Sequence, residues 1–204
     1  MSIEFGMPTL IELKGLEENA KLCNSLGFKF IELNMNLPQY QVESMKRNKI
    51  FQDISKEYNV YYTIHLDENL NISDFNNTVT KAYLETVKQT LTLAKELAIP
   101  ILNMHMNKGV YFTLPDQKIF LFDKYRDTYL KNIQYFRTMC ETLIGGDNVN
   151  ISIENTEGFT TFQKEAIDKL NIARRNHCRC VIETKTVASL QESLNWLVTH
   201  WSNK

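Results

Sequence analysis

The sequence predicts an α/β chain of the TIM-barrel type, a (β/α) repeat of about six units. Three observations predict it. Six short runs rich in Ile, Val, Phe and Tyr recur along the chain, helical patterns separate them, and no glycine-rich phosphate turn follows the first run.

The runs lie at 3 to 8 (IEFGMP), 28 to 34 (FKFIELN), 60 to 66 (VYYTIHL), 101 to 106 (ILNMHM), 148 to 154 (NVNISIE) and 179 to 184 (RCVIET). Each is short, apolar or alternating, and bounded by breakers, which is the pattern of a buried strand. The first helix, 16 to 26, aligns Leu16, Ala20, Cys23 and Leu26 on one face and stops at Gly27, a left-handed cap position. Helices are predicted next over 42 to 58 and 76 to 98, the latter closed by Pro100 before a strand, and then over 119 to 144, 161 to 176 and 187 to 201. Six βα units in succession imply a parallel sheet covered by helices, in either a doubly wound sheet or a barrel. A nucleotide fold needs a glycine-rich turn after its first strand, whereas the double glycine here, Gly145-Gly146, precedes a strand. The barrel is therefore preferred.

At 204 residues and 43% hydrophobic the chain buries a substantial core and reads as one domain, 1 to 204. Lys and Arg (23) balance Asp and Glu (24), so no field recruits nucleic acid or an anionic membrane, and neither is expected as a partner. The N-terminus lacks a signal-peptide pattern and no apolar run is long enough to span a bilayer; a cytoplasmic location is expected. Cys23, Cys140, Cys178 and Cys180 have no metal-knuckle or disulfide spacing and read as reduced thiols.

In a barrel the reactive groups project from the carboxyl ends of the strands. Alternation along each strand puts Thr63 with His65, Asn103 with His105, Ser152 with Glu154, Val181 with Glu183, and Phe30 with Glu32 and Asn34. Imidazoles and carboxylates converging beside apolar strands cost several kcal/mol unless they share a partner, and a divalent cation supplies one. Two imidazoles with two or three carboxylates suit Zn, Mn, Fe or Co. His177 and His200 read as surface or helix-end residues, and Arg174-Arg175 as a solvated helix end.

At these residues the sequence resembles the xylose isomerase-like TIM-barrel superfamily, which joins sugar isomerases and sugar-phosphate epimerases with apurinic-site endonucleases. The resemblance runs along the whole chain. FKFIELNMN, YYTIHL, LNMHMNKGVYFTLPD, ISIENTEGF and RCVIETKTVASLQESLNWL look like the family's second, third, fourth, fifth and final strands with their loops. It implies a divalent metal (Mn, Zn, Co or Mg) held by Glu154, Glu183, His65 and His105, with Glu154 and Glu183 as catalytic acid and base. Glu32, Asn103, Asn155 and Lys185 are then the candidate substrate contacts. In the endonuclease branch the same resemblance points to His65, His105 and Glu154 as metal ligands.

The sequence departs from the family after Phe159. Two βα units and their Asp-x-Gly-His-like and His-x-His-Asp-like motifs are absent, and one helical pattern leads straight into RCVIETK, as if a segment near Leu170 were missing. Six units where eight close a barrel leave an incomplete or open barrel with sheet edges that a homo-oligomer would cover. Three functions follow as expectations. The first is a metal-dependent sugar or sugar-phosphate isomerase or epimerase acting on a small carbohydrate. The second is an apurinic-site endonuclease-like phosphodiesterase, and the third is a non-catalytic scaffold of the same fold.

Overall fold

Glycine at position 6 lets the first two strands meet: the ring of Phe30, its register partner, occupies the space that a Cβ at Gly6 would need. Strands β1 (Glu4–Pro8), β2 (Phe30–Asn34) and β3 (Tyr61–His65) pair in parallel from that contact outward. Phe30 also stacks on Tyr61, its partner in β3, with ring centroids 5.3 Å apart. The computed structural model describes residues 4–46, 49–154, 158–169, 179–182 and 184–201. They fall into two compact units, 1–65 with 176–204, and 66–175.

In the first unit the final strand, β8 (Arg179–Val181), pairs in parallel with β1, giving the order β8-β1-β2-β3. Helix α1 (Leu16–Ser25) buries Leu16, Ala20 and Cys23 as its periodicity predicts, and Gly27 takes the left-handed conformation (φ 73°) that ends it. Within the helix predicted over 42 to 58 lie α2 (Val42–Lys46) and α3 (Ile50–Tyr58), and residues 47–48 between them lie outside the described residues. Helix α8 (Val187–Trp201) follows β8.

In the second unit α4 (Asn77–Glu96) begins where the Asn76 side chain accepts the Thr78 N–H, and β4 (Ile101–His105) starts immediately after Pro100. β4 pairs in parallel with β7 (Asn150–Glu154), residue for residue from Ile101↔Asn150 to His105↔Glu154. The helix predicted over 119 to 144 is corrected here. Residues Lys118–Phe120 form a strand, β6, antiparallel to β5 (Tyr111–Thr113), and helix follows only as α5 (Leu121–Lys124) and α6 (Arg126–Ile144). The Pro-Asp turn at 115–116 brings Tyr111 opposite Phe120, and that cross-strand aromatic pair outweighs the local helical pattern. Helix α7 (Thr161–Lys169) begins where predicted, and its continuation to 176 lies outside the described residues.

Among the described residues the parallel strands, four in the first unit and two in the second, follow the predicted TIM-barrel-like α/β repeat, fewer than the eight of a closed barrel. Among the described residues β7 pairs only with β4 and β8 only with β1. Among them, too, no helix is long and apolar enough to cross a membrane.

Candidate metal centre

β4 and β7 end on His105 and Glu154, directly opposite each other in register. Alternation sends Leu102 and Met104 into the core, while Asn103 and His105 point to the opposite, partly open face. His105 Nε2 lies 3.4 Å from Glu154 Oε2, with the two side chains 28% and 21% exposed. Asn103 Nδ2 donates to the same carboxylate oxygen at 3.0 Å. A carboxylate held by an amide on one side and faced by an imidazole on the other has a fixed orientation.

His65 ends β3 in the first unit. In the second unit the Leu66 N–H donates to the Asn103 carbonyl at 2.9 Å. Around a tetrahedral ion with bonds of about 2.1 Å, adjacent ligand atoms stand about 3.4 Å apart. That is the separation of His105 Nε2 and Glu154 Oε2. An imidazole nitrogen and a carboxylate are also donors suited to borderline divalent cations. His105 and Glu154 thus stand at a spacing that fits two ligands of one metal ion.

Of the sequence-predicted site residues, His105, Glu154 and Asn103 lie together at the ends of β4 and β7. Glu32 is buried in β2 at 6% exposure, in register with Thr63, whose hydroxyl is buried with no hydrogen-bond partner among the described residues. Lys185 is exposed in the bend before α8. Glu183 and Asn155 lie outside the described residues, as do His177, Arg174 and Arg175, whereas His200 falls within α8. Cys23 and Cys140 are free and buried.

Two features were not anticipated. The loop after β4 forms the β5-β6 hairpin, which exposes Tyr111 (48%) and Phe112 (58%). Gln163, only 1% exposed in α7, accepts from the Thr160 N–H and hydroxyl and donates through Nε2 to the Met106 carbonyl. Thr160-x-x-Gln163 is a capping box legible in the sequence; its reach to Met106 is not.

The family model described as xylose isomerase-like TIM barrel matches residues 20–192. No curated protein matches in sequence. Among solved structures, a D-tagatose 3-epimerase-like protein is 17% identical with a TM-score of 0.61, the alignment covering 89% of this chain and 64% of that one. The 3-keto-D-glucoside 4-epimerase of E. coli is 13% identical with a TM-score of 0.65, covering 96% and 76%. The IolI protein, solved with a bound zinc atom, is 13% identical with a TM-score of 0.58, covering 83% and 59%. This chain thus spans less than two thirds of the length of the first and third of these proteins. The family match covers most of the chain and the neighbours share its fold, so the chain belongs to the xylose isomerase-like TIM-barrel family.

Proposed function

We propose that this chain is a divalent-metal-dependent isomerase or epimerase of a sugar or sugar phosphate, moving a proton between adjacent carbons. The observation that carries the proposal is the meeting of His105 Nε2 and Glu154 Oε2 at 3.4 Å on the last rung of the β4-β7 ladder, with Asn103 orienting the glutamate. The nature of the structural neighbours, which include sugar epimerases and a zinc-binding protein, supports it.

In this reading His65, His105 and Glu154 hold the ion, with Glu183 as a fourth ligand. When bound, the ion supplies a Lewis acid that stabilises negative charge developing on a substrate oxygen. Glu154 and Glu183 are the acid and base: one carboxylate takes the proton from the carbon next to the carbonyl and the other returns one. Asn103 keeps the Glu154 carboxylate in a single orientation through this exchange. Glu32, Asn103, Asn155 and Lys185 contact substrate hydroxyl or phosphate groups.

The test is solvent deuterium incorporation. Protein prepared metal-free and then loaded with Mn²⁺, Co²⁺ or Zn²⁺ is incubated with ketohexoses and their phosphates in D₂O. Exchange at a carbon adjacent to the carbonyl that depends on metal and is lost in Glu154→Gln supports the proposal. Absence of exchange with every metal and sugar rejects it.

A second reading, an endonuclease-like phosphodiesterase, assigns His65, His105 and Glu154 as the metal ligands. The balanced charge of 23 basic against 24 acidic residues opposes it, since phosphate neutralisation dominates affinity for DNA. Failure to bind an abasic duplex at low salt removes that reading, and absence of any stoichiometric metal leaves the non-catalytic scaffold.

A further inference from the structure

Gln163 does more than cap a helix. A capping box needs only the acceptor side of the residue three positions into the helix, and here Gln163 Oε1 fills that role, taking the Thr160 N–H at 2.8 Å and the Thr160 hydroxyl at 2.9 Å. Its amide nitrogen is not required for capping. That nitrogen donates instead across 57 positions of sequence to the carbonyl of Met106. Met106 is the residue directly after His105, and Thr160 lies six residues after Glu154. The side chain is 1% exposed and both ends of its amide are bonded, so its position is fixed by burial and hydrogen bonding together.

We propose that Gln163 is a positioning residue that clamps the end of β4 to the start of α7 and so sets the spacing of His105 and Glu154 for metal binding. The ladder between the strands ends at the pair His105↔Glu154 itself. Among the described residues the next tie between the two segments after that rung is the Gln163 amide. Fixing the Met106 peptide fixes the backbone immediately after His105, which aims the imidazole. Restraint of a ligand by its hydrogen-bonded neighbours commonly changes metal affinity about 10- to 100-fold.

The inference rests on the metal reading above, and the experiment separates the two. Metal-free wild-type protein, Gln163→Glu, Thr160→Val and Glu154→Gln are each titrated with Co²⁺, following the visible absorption of the bound ion, with thermal melting recorded in parallel. Gln163→Glu keeps the acceptor for Thr160 but sets a carboxylate oxygen against the Met106 carbonyl, so the cap survives and the clamp is lost. The expected result is Co²⁺ affinity about 10- to 100-fold weaker with a shifted absorption band. Thr160→Val, which damages the cap and spares the clamp, lowers the melting temperature and leaves the affinity near wild type. If Gln163→Glu binds Co²⁺ with wild-type affinity and spectrum while Glu154→Gln does not, the clamp is wrong and the metal site stands. If wild-type protein binds no Co²⁺, both fall.

Discussion

His105 Nε2 and Glu154 Oε2 face each other at 3.4 Å across the last rung of the β4-β7 ladder, and Asn103 donates to the same carboxylate oxygen from two residues back on β4. Asn103→Leu removes that donor while keeping the side chain's size. Metal affinity is expected to fall about 10-fold or more, since the carboxylate loses the amide donor that orients it toward the imidazole. Isothermal titration of the metal-free variant with Zn²⁺ measures the change; an unaltered affinity would show that Asn103 plays no part in orienting Glu154.

Tyr129 carries its own cost. Its hydroxyl is buried at 1% residue exposure and has no hydrogen-bond partner among the described residues, while its ring packs against Phe122 and Phe162 at 4.8 Å and 5.3 Å. Leaving a buried hydroxyl unsatisfied costs about 1–3 kcal/mol, so Tyr129→Phe, which keeps the ring contacts, should stabilise the protein by up to about 1 kcal/mol. The melting temperature would rise by roughly 2–4 °C. A fall would mean that the hydroxyl is satisfied.

The buried thiols should be inert. Burial pushes both Cys23 and Cys140 from 9.0 up to about 12, with Lys29 pulling the former slightly back and Glu141 adding to the latter. Because the folded state disfavours the thiolate, their contribution to stability is complete below 9.0 and is lost as pH rises toward about 12. Iodoacetamide at mildly alkaline pH should label neither cysteine in the native protein and both after denaturation, as read by peptide mass spectrometry. Rapid native labelling of either would contradict the burial.

Gly109 occupies the left-handed region at φ 69°, and a Cβ there would run into the ring of Phe122. Gly109→Ala therefore meets both a backbone penalty and a clash at the base of the β5-β6 hairpin, and a loss of about 1–3 kcal/mol is expected. Chemical denaturation measures it, and a stability equal to wild type would place the hairpin differently.

Much of this was legible beforehand because its causes are local. Every one of the six apolar runs contains a strand, and the alternation of Asn103 and His105 against Leu102 and Met104 followed from the period of two. The β5-β6 hairpin was not legible, since Lys118–Phe120 becomes a strand only by pairing with Tyr111–Thr113, and the same residues fit a helical pattern when read alone.

The sequence by itself determined the α/β repeat, the faces of its strands and the identity of the metal-ligand candidates, because side-chain alternation and apolar periodicity are written into consecutive residues. Only the tertiary structure decided that His105 Nε2 and Glu154 Oε2 stand 3.4 Å apart, that Asn103 holds the glutamate, and that Gln163 reaches the Met106 carbonyl. Those relations join residues 49 to 57 positions apart, and their distances are set by strand register and burial, which no local pattern encodes.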